Sequence, residues 1–229
     1  MIFKQGDRPV FKQGDRPVFK KRGPGTRENE TMDGCGRIAE IERNTAETQV
    51  QIRLGLDGGR VCVDSGVGFL NHMLTLFAAH GRFGLEVRCK GDTDVDDHHS
   101  VEDVGIALGQ AFAAALGEKR GIRRYGSCIL PMDEALILTA ADFSGRAHLT
   151  YDVRLPAQKV GSFDTELVEE FWLGFVRNAG CSLHIREISG ANTHHIIEGI
   201  FKSAARSIRT AAELDPRLAG EIPSTKGVL

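Results

Sequence analysis

At 229 residues with 41 % apolar content, the chain has material for one sizeable domain or two small packed halves around a real core. Its 29 Lys and Arg against 31 Asp and Glu leave a formal charge of −2, a field too weak to hold nucleic acid or an anionic membrane without specific contacts. The five cysteines, Cys35, Cys62, Cys89, Cys128 and Cys181, are odd in number and never paired as C-x-x-C, which argues against a disulfide framework or a zinc-thiolate site and points to a reducing cytoplasm.

In chain order, "FKQGDRPV" stands at 3–10 and recurs letter for letter at 11–18. Gly, Pro and charge dominate this stretch, so residues 1–33 are predicted to be a disordered leader without chemistry of its own. No apolar signal core opens the chain, and the most apolar run, "GVGFLNHMLTLFAAHG", is broken by Asn71 and His72 and is too short to span a bilayer. Beyond Cys35, "RIAEIERN" and "ETQVQIRLGL" alternate apolar and polar residues, which predicts two strands joined near "AETQ". "GFLNHMLTLFAAHG" has helical spacing, "LEVRCKG" alternates again, and "SVEDVGIALGQAFAAALG" is an amphipathic helix closed by glycine. From residue 124 the order recurs: strands in "CILPMDEALILTAADFS" and "RAHLTYDV", a helix in "TELVEEFWLGFVRNAG", a strand in "SLHIREISG", and a helix in "HHIIEGIFKSAARSIRTAAEL". The expectation is an α+β fold duplicated as strand-strand-helix-strand-helix, with one half at 36–119 and the other at 120–219.

The repeat carries chemistry. His98, His99 and Glu102 open the last helix of the first half; His194, His195 and Glu198 open the last helix of the second. One H-H-x-x-E at a helix start is ordinarily a solvated cap, but two copies at equivalent places ask for a shared reason. Residues four apart share a helix face while neighbours point about 100° apart, so His98 with Glu102, and His194 with Glu198, can each hold an ion that the adjacent histidine does not. The helix dipole near an N-terminus disfavours imidazolium and so favours the neutral ring that a metal needs. His72, on the earlier helix of the first half, supplies a further imidazole, and aligning "FLNHML" with "LVEEFW" puts Glu170 at the matching position. His80 and His148 read as ordinary surface or packing residues, and His184 has no assigned role. Imidazole and carboxylate donors without thiolate suit manganese, iron or zinc; open positions around mixed donors lean to an octahedral ion such as Mn²⁺. Two other classes stay open on these residues: a dinuclear metallohydrolase, although H-E-x-x-H is absent and the di-iron signature runs E-x-x-H, and a non-catalytic metal-binding shell.

"GFLNHMLTLFAAHG", "GDTDVDDHHSVEDVGIALGQA", "GIRRYG", "PMDEAL", "ANTHHIIEGIFKSAARSIRTA" and "IPSTKGVL", in this order, resemble the imidazoleglycerol-phosphate dehydratase family from about Gly36 to Leu229. The resemblance implies two similar halves with paired helices between two sheets, assembled into a large homo-oligomer of about two dozen subunits. It implies two Mn²⁺ ions per active site, at subunit interfaces, held by His72, His98, His99, Glu102, His194, His195 and Glu198. Glu170 joins them as a carboxylate where family members often carry histidine. The implied reaction is loss of water from imidazole glycerol phosphate to give imidazole acetol phosphate, a step of histidine biosynthesis. There the metal stabilises an imidazolate whose electron density expels the neighbouring hydroxyl. Glu47, in "RNTAETQV", is the implied acid/base and touches substrate; Glu102 and Glu198 complete the catalytic carboxylates. Arg124, Arg146, Ser224 and Lys226 are the implied phosphate contacts, which makes 220–229 a substrate-binding tail. Asp133 and Glu134 sit in a family-like motif without a role that spacing assigns.

Overall fold

Alternation of apolar and polar residues becomes strand geometry in this computed structural model, which describes residues 36–218 and 220–229. The expected leader at 1–33 lies outside the described residues. In β1 (Ile38–Asn44) and β2 (Thr48–Gly55), Ala39, Val50, Ile52 and Leu54 are buried while Glu40, Glu42 and Gln49 face outward. They form the expected hairpin, with Ile41 opposite Ile52. Then follow β3 (Val61–Asp64), α1 (Gly68–Gly81), β4 (Gly84–Gly91) and α2 (His98–Leu116). The sheet order is β1-β2-β4-β3, with only β3 parallel to its neighbour.

The second half repeats this order. It comprises β5 (Tyr125–Met132), β6 (Ala135–Asp142), β7 (His148–Asp152), a small hairpin of β8 (Lys159–Val160) and β9 (Phe163–Asp164), α3 (Leu167–Ala179), β10 (Ser182–Ser189) and α4 (Thr193–Ala212). Its sheet runs β5-β6-β10-β7, again with only the edge strand, β7, parallel to its neighbour, β10. The duplicated α+β architecture is therefore present, with one strand more in each four-stranded sheet than the alternation predicted and the β8–β9 hairpin besides. β3 has four residues and follows Gly58 and Gly59, whose φ values of 114° and 144° break the pattern just before it. "CILPMDEALILTAADFS" divides at Asp133 and Glu134 into the β5–β6 hairpin, where Asp133 takes a left-handed φ of 50°.

The four helices lie between the sheets: α2 packs on β1 and β2, α4 on β5 and β6, α2 meets α3, and α1 meets α4. Phe77, Phe112, Phe171, Trp172, Phe175 and Phe201 are fully buried and fill this middle layer, with Phe112 edge-on to Phe175 at 5.3 Å. Each such ring contributes roughly 1.5–3 kcal/mol by leaving water. The α2–α3 contact is made backbone to backbone. A Cβ on Gly105 would stand 2.4 Å from the Phe171 carbonyl oxygen, and one on Gly109 2.4 Å from that of Phe175. Both contacts advance by one turn together, so the helices run parallel and Glu170 comes level with Glu102.

Candidate metal centre

Because α1 crosses α4, His72 reaches the first turns of the second His-His-x-x-Glu helix. His194 Nε2 lies 3.2 Å and His72 Nε2 3.4 Å from the same Glu198 oxygen, Oε2. The donor atoms of these three residues all fall within 4.8 Å of one another. Spacing of four explains His194 with Glu198; Asn192 fixes the turn by accepting from the backbone N–H of His194 at 2.9 Å and of His195 at 3.3 Å. Glu198 is 7 % exposed, and Lys202, one turn on, places Nζ 2.5 Å from its other oxygen. Burial pushes the Glu198 carboxyl up, but the Lys202 hydrogen bond and charge, with His194 and His72, hold it below the usual range. Two imidazoles and an ionised carboxylate converging on one point are a donor set that fits a divalent cation such as Mn²⁺.

The adjacent histidines diverge equally in both halves: the rings of His98 and His99 stand 6.2 Å apart at 84°, those of His194 and His195 6.4 Å apart at 84°. His195 turns to the β5–β6 hairpin, where its Nδ1 is 2.8 Å from Glu134 Oε2 and its Nε2 3.7 Å from Asp133. His99 turns to the loop after β4, with Nδ1 3.1 Å from Asp92 and Nε2 3.7 Å from Glu47. Where the helix position predicted neutral rings, the Asp92 hydrogen bond raises the pKa of His99, the Glu134 hydrogen bond raises that of His195, and the His195 contact holds Glu134 down to about 2.

Glu47 is exposed on the β1–β2 turn, yet the turn itself is anchored. Thr45 Oγ1 accepts the N–H of Glu47 at 3.2 Å and of Thr48 at 2.9 Å. Buried Asp103 accepts from the Thr48 hydroxyl and from Arg43 Nε at 2.9 Å. Asp103 sits on α2, so the helix that carries His98, His99 and Glu102 also holds the turn that carries Glu47. His98, Glu102 and Glu170 form no second group of three within ligand distance among the described residues.

The cationic residues gather elsewhere. Arg124 is bidentate to Asp142 at 2.7 and 3.3 Å and donates to the Pro223 carbonyl at 2.9 Å, so it ties the tail to the start of β5. Gly121 adds a backbone bond to Glu221 at 2.8 Å, and Ser224 Oγ accepts the Lys226 N–H at 3.2 Å. A Cβ on Gly145 would come within 2.8 Å of the Leu229 carbonyl carbon, so the tail passes beside exposed Arg146. This end of the molecule is the C-terminal end of α4, where the Arg124 N–H bonds Ala211. Ala211 is 17 residues beyond His194 on α4, about 25 Å at the helical rise.

Sequence reasoning missed several neighbours. Asp92 and Glu134 hold ring nitrogens from distant chain positions, which spacing cannot reveal. Lys202, at i+4 from Glu198, was within reach of the helical pattern. With His80, Cys128 and Arg206 it lines a cleft of about 350 Å³ beside the histidine group. His80, expected to be an ordinary surface or packing residue, has its pKa lowered there by burial and by Lys202 and Arg206.

Comparison with known proteins fits this geometry. Residues 65–208 match the family model for imidazoleglycerol-phosphate dehydratase. The imidazoleglycerol-phosphate dehydratases of Synechococcus and Desulforamulus reducens are 55 % and 58 % identical over 194 residues, spanning 84 % of this chain and 96 % and 98 % of theirs. The crystal structure of the Staphylococcus aureus enzyme superposes with a TM-score of 0.72 at 42 % identity, covering 78 % of this chain and 99 % of that one. The Pyrococcus furiosus structure gives 0.70 at 32 %, over 82 % and 100 %. With the duplicated fold, the paired histidines and these relatives in agreement, the chain belongs to the imidazoleglycerol-phosphate dehydratase family and is a hydro-lyase.

Proposed function

We propose that the chain dehydrates imidazole glycerol phosphate to imidazole acetol phosphate with two Mn²⁺ ions per active site, in the cytoplasm, as a homo-oligomer of about two dozen subunits. The observation that carries the metal reading is the convergence of His72, His194 and Glu198, beside a second histidine turned to its own carboxylates. His98, His99, Glu102, His195 and Glu170 would complete the donor sets. The chemistry a bound Mn²⁺ pair supplies is Lewis-acid stabilisation of negative charge on the imidazole ring of the substrate. Glu47, exposed on its anchored turn and 3.7 Å from His99 Nε2, would take up the proton of the substrate carbon and return it to the enol carbon. The departing hydroxide would become water with the proton that the enol hydroxyl gives up as it turns into the ketone. Arg124, Arg146, Ser224 and Lys226 would hold the phosphate, with the tail at 220–229 as the binding strap.

The separation of these two sets supports sites shared between subunits. About 25 Å of α4 stands between the His194 group and the Arg124 end, far more than one small phosphate ester spans. One chain's metal end would therefore take phosphate contacts from a neighbour's tail end. The outer faces of the two sheets differ in the same sense. The first is charged, with Glu40, Arg53, Glu86 and Arg88, whereas the second presents Ile129 at 61 % and Ile188 at 51 % exposure, beside half-buried Leu136 and Leu138. An apolar sheet face of this kind suits burial against another copy.

Subunit mixing tests the reading. Glu47→Gln and Lys226→Ala chains, each impaired alone, are stripped of metal, mixed and reassembled with Mn²⁺. Sites that join an intact Glu47 from one chain to an intact Lys226 from another should restore turnover. Mixed assemblies, verified by mass, that regain no activity would place each site within one chain.

A further inference from the structure

We propose that Glu134 is a positioning residue for His195, one that fixes the proton on Nδ1 and offers the Nε2 lone pair, 3.7 Å from Asp133, to a cation. The inference rests on the metal-dependent reading above and assigns a role to a hairpin residue that spacing left without one. Glu134 is held on both sides. Its Oε1 accepts the backbone N–H of Ala191 at 3.2 Å and of Asn192 at 2.7 Å, so the carboxylate grips the entry to α4 itself. Its Oε2 faces His195 Nδ1 at 2.8 Å, and its own carbonyl accepts the Ser189 hydroxyl at 3.2 Å, which docks the hairpin tip on the end of β10. A neutral imidazole carries one N–H, and a carboxylate at Nδ1 can only be satisfied if that nitrogen keeps it.

The first half reaches the same geometry by a different route. His99 Nδ1 lies 3.1 Å from Asp92, which follows β4, whereas Glu134 lies in the β5–β6 hairpin. Duplication alone would have placed both partners at matching positions. Two unrelated positions that each put a carboxylate on Nδ1 of the second histidine point to a requirement on ring orientation, and outer-shell carboxylates of this kind raise ligand basicity.

Glu134→Gln separates this role from bulk packing. The amide keeps the size and the carbonyl that anchors Ala191 and Asn192, but turns an NH₂ toward Nδ1, which must then accept; the proton moves to Nε2. Metal-stripped full-length parent, Glu134→Gln, Glu134→Asp, His195→Ala and the Glu134→Gln/His195→Ala double variant are titrated with Mn²⁺ alone, by calorimetry and by electron paramagnetic resonance. Glu134→Gln should weaken one class of sites about 10- to 100-fold, with the metal-free unfolding transition unchanged. Glu134→Asp, which returns a carboxylate to the ring, should recover most of that loss, and the double variant should bind no more weakly than His195→Ala. Parent-like Mn²⁺ affinity in Glu134→Gln, or a full further loss in the double variant, would overturn the positioning role alone. A parent chain that takes up no Mn²⁺ would overturn the metal reading and this role with it.

Discussion

Glu47 stands out among the site residues because its side chain is exposed while its backbone is pinned through Thr45 and Thr48 to buried Asp103. A proton carrier needs that combination of a fixed origin and a free carboxylate. Glu47→Gln should therefore keep its metals and its substrate affinity yet lose about two to four orders of magnitude in turnover, checked by steady-state rates beside Mn²⁺ uptake. Parent-like turnover in this variant would move the proton transfer to another group. At this scale the sequence revealed what helix spacing controls: His194 with Glu198 at i+4, and the divergence of adjacent rings. It concealed what only the folded chain brings together, since Glu134 and His195 are 61 residues apart and Asp103 meets Thr48 across 55.

Elements meet here through glycine. Gly105 and Gly109 let α2 touch the backbone of α3, and Ala at an exposed helix position would be favoured over Gly by about 1 kcal/mol. Gly105→Ala should nevertheless destabilise by about 1–3 kcal/mol, because its Cβ would meet the Phe171 carbonyl, a rigid backbone atom. Denaturant unfolding measures this, and a stabilised variant would contradict the close crossing. A second elemental tie is Arg37, just before β1, which reaches Asp57 beyond β2 and the Ala212 carbonyl at the end of α4. The Arg37 hydrogen bond holds the Asp57 carboxyl below its usual range. A depressed folded-state value contributes stability above the unfolded pKa of about 3.9 and loses it as pH falls through the folded value. The stability gap between parent and Asp57→Asn should thus be present at neutral pH and close in acid; a gap constant with pH would contradict the ion pair. Strands and helices were legible because their apolar periods differ. The four-residue β3 was not, being shorter than the window in which alternation can be told from chance. The helix crossing was equally hidden, since Gly105 and Gly109 look in sequence like weak points of an Ala-rich helix.

Over the whole molecule, duplication is the organising fact, and it was legible because the order of elements and the His-His-x-x-Glu signal recur together. The proposed separation of metal ligands and phosphate contacts between the two ends was not legible. It follows from the direction of α4, which starts at Thr193, beside His194, and finishes beside the Arg124 end, and no local pattern encodes where a helix points in the folded chain. Metal-dependent dehydration is the claim on which the site, the ligand roles and the shared arrangement all depend. A chelator at neutral pH should remove the metal by competition, and the chain should stay folded on its apolar core. The most direct measurement is turnover of imidazole glycerol phosphate by the purified protein before chelation, after chelation, and after Mn²⁺ is restored. The expected result is formation of imidazole acetol phosphate that disappears on chelation and returns with Mn²⁺. Undiminished turnover in verified metal-free protein would contradict it.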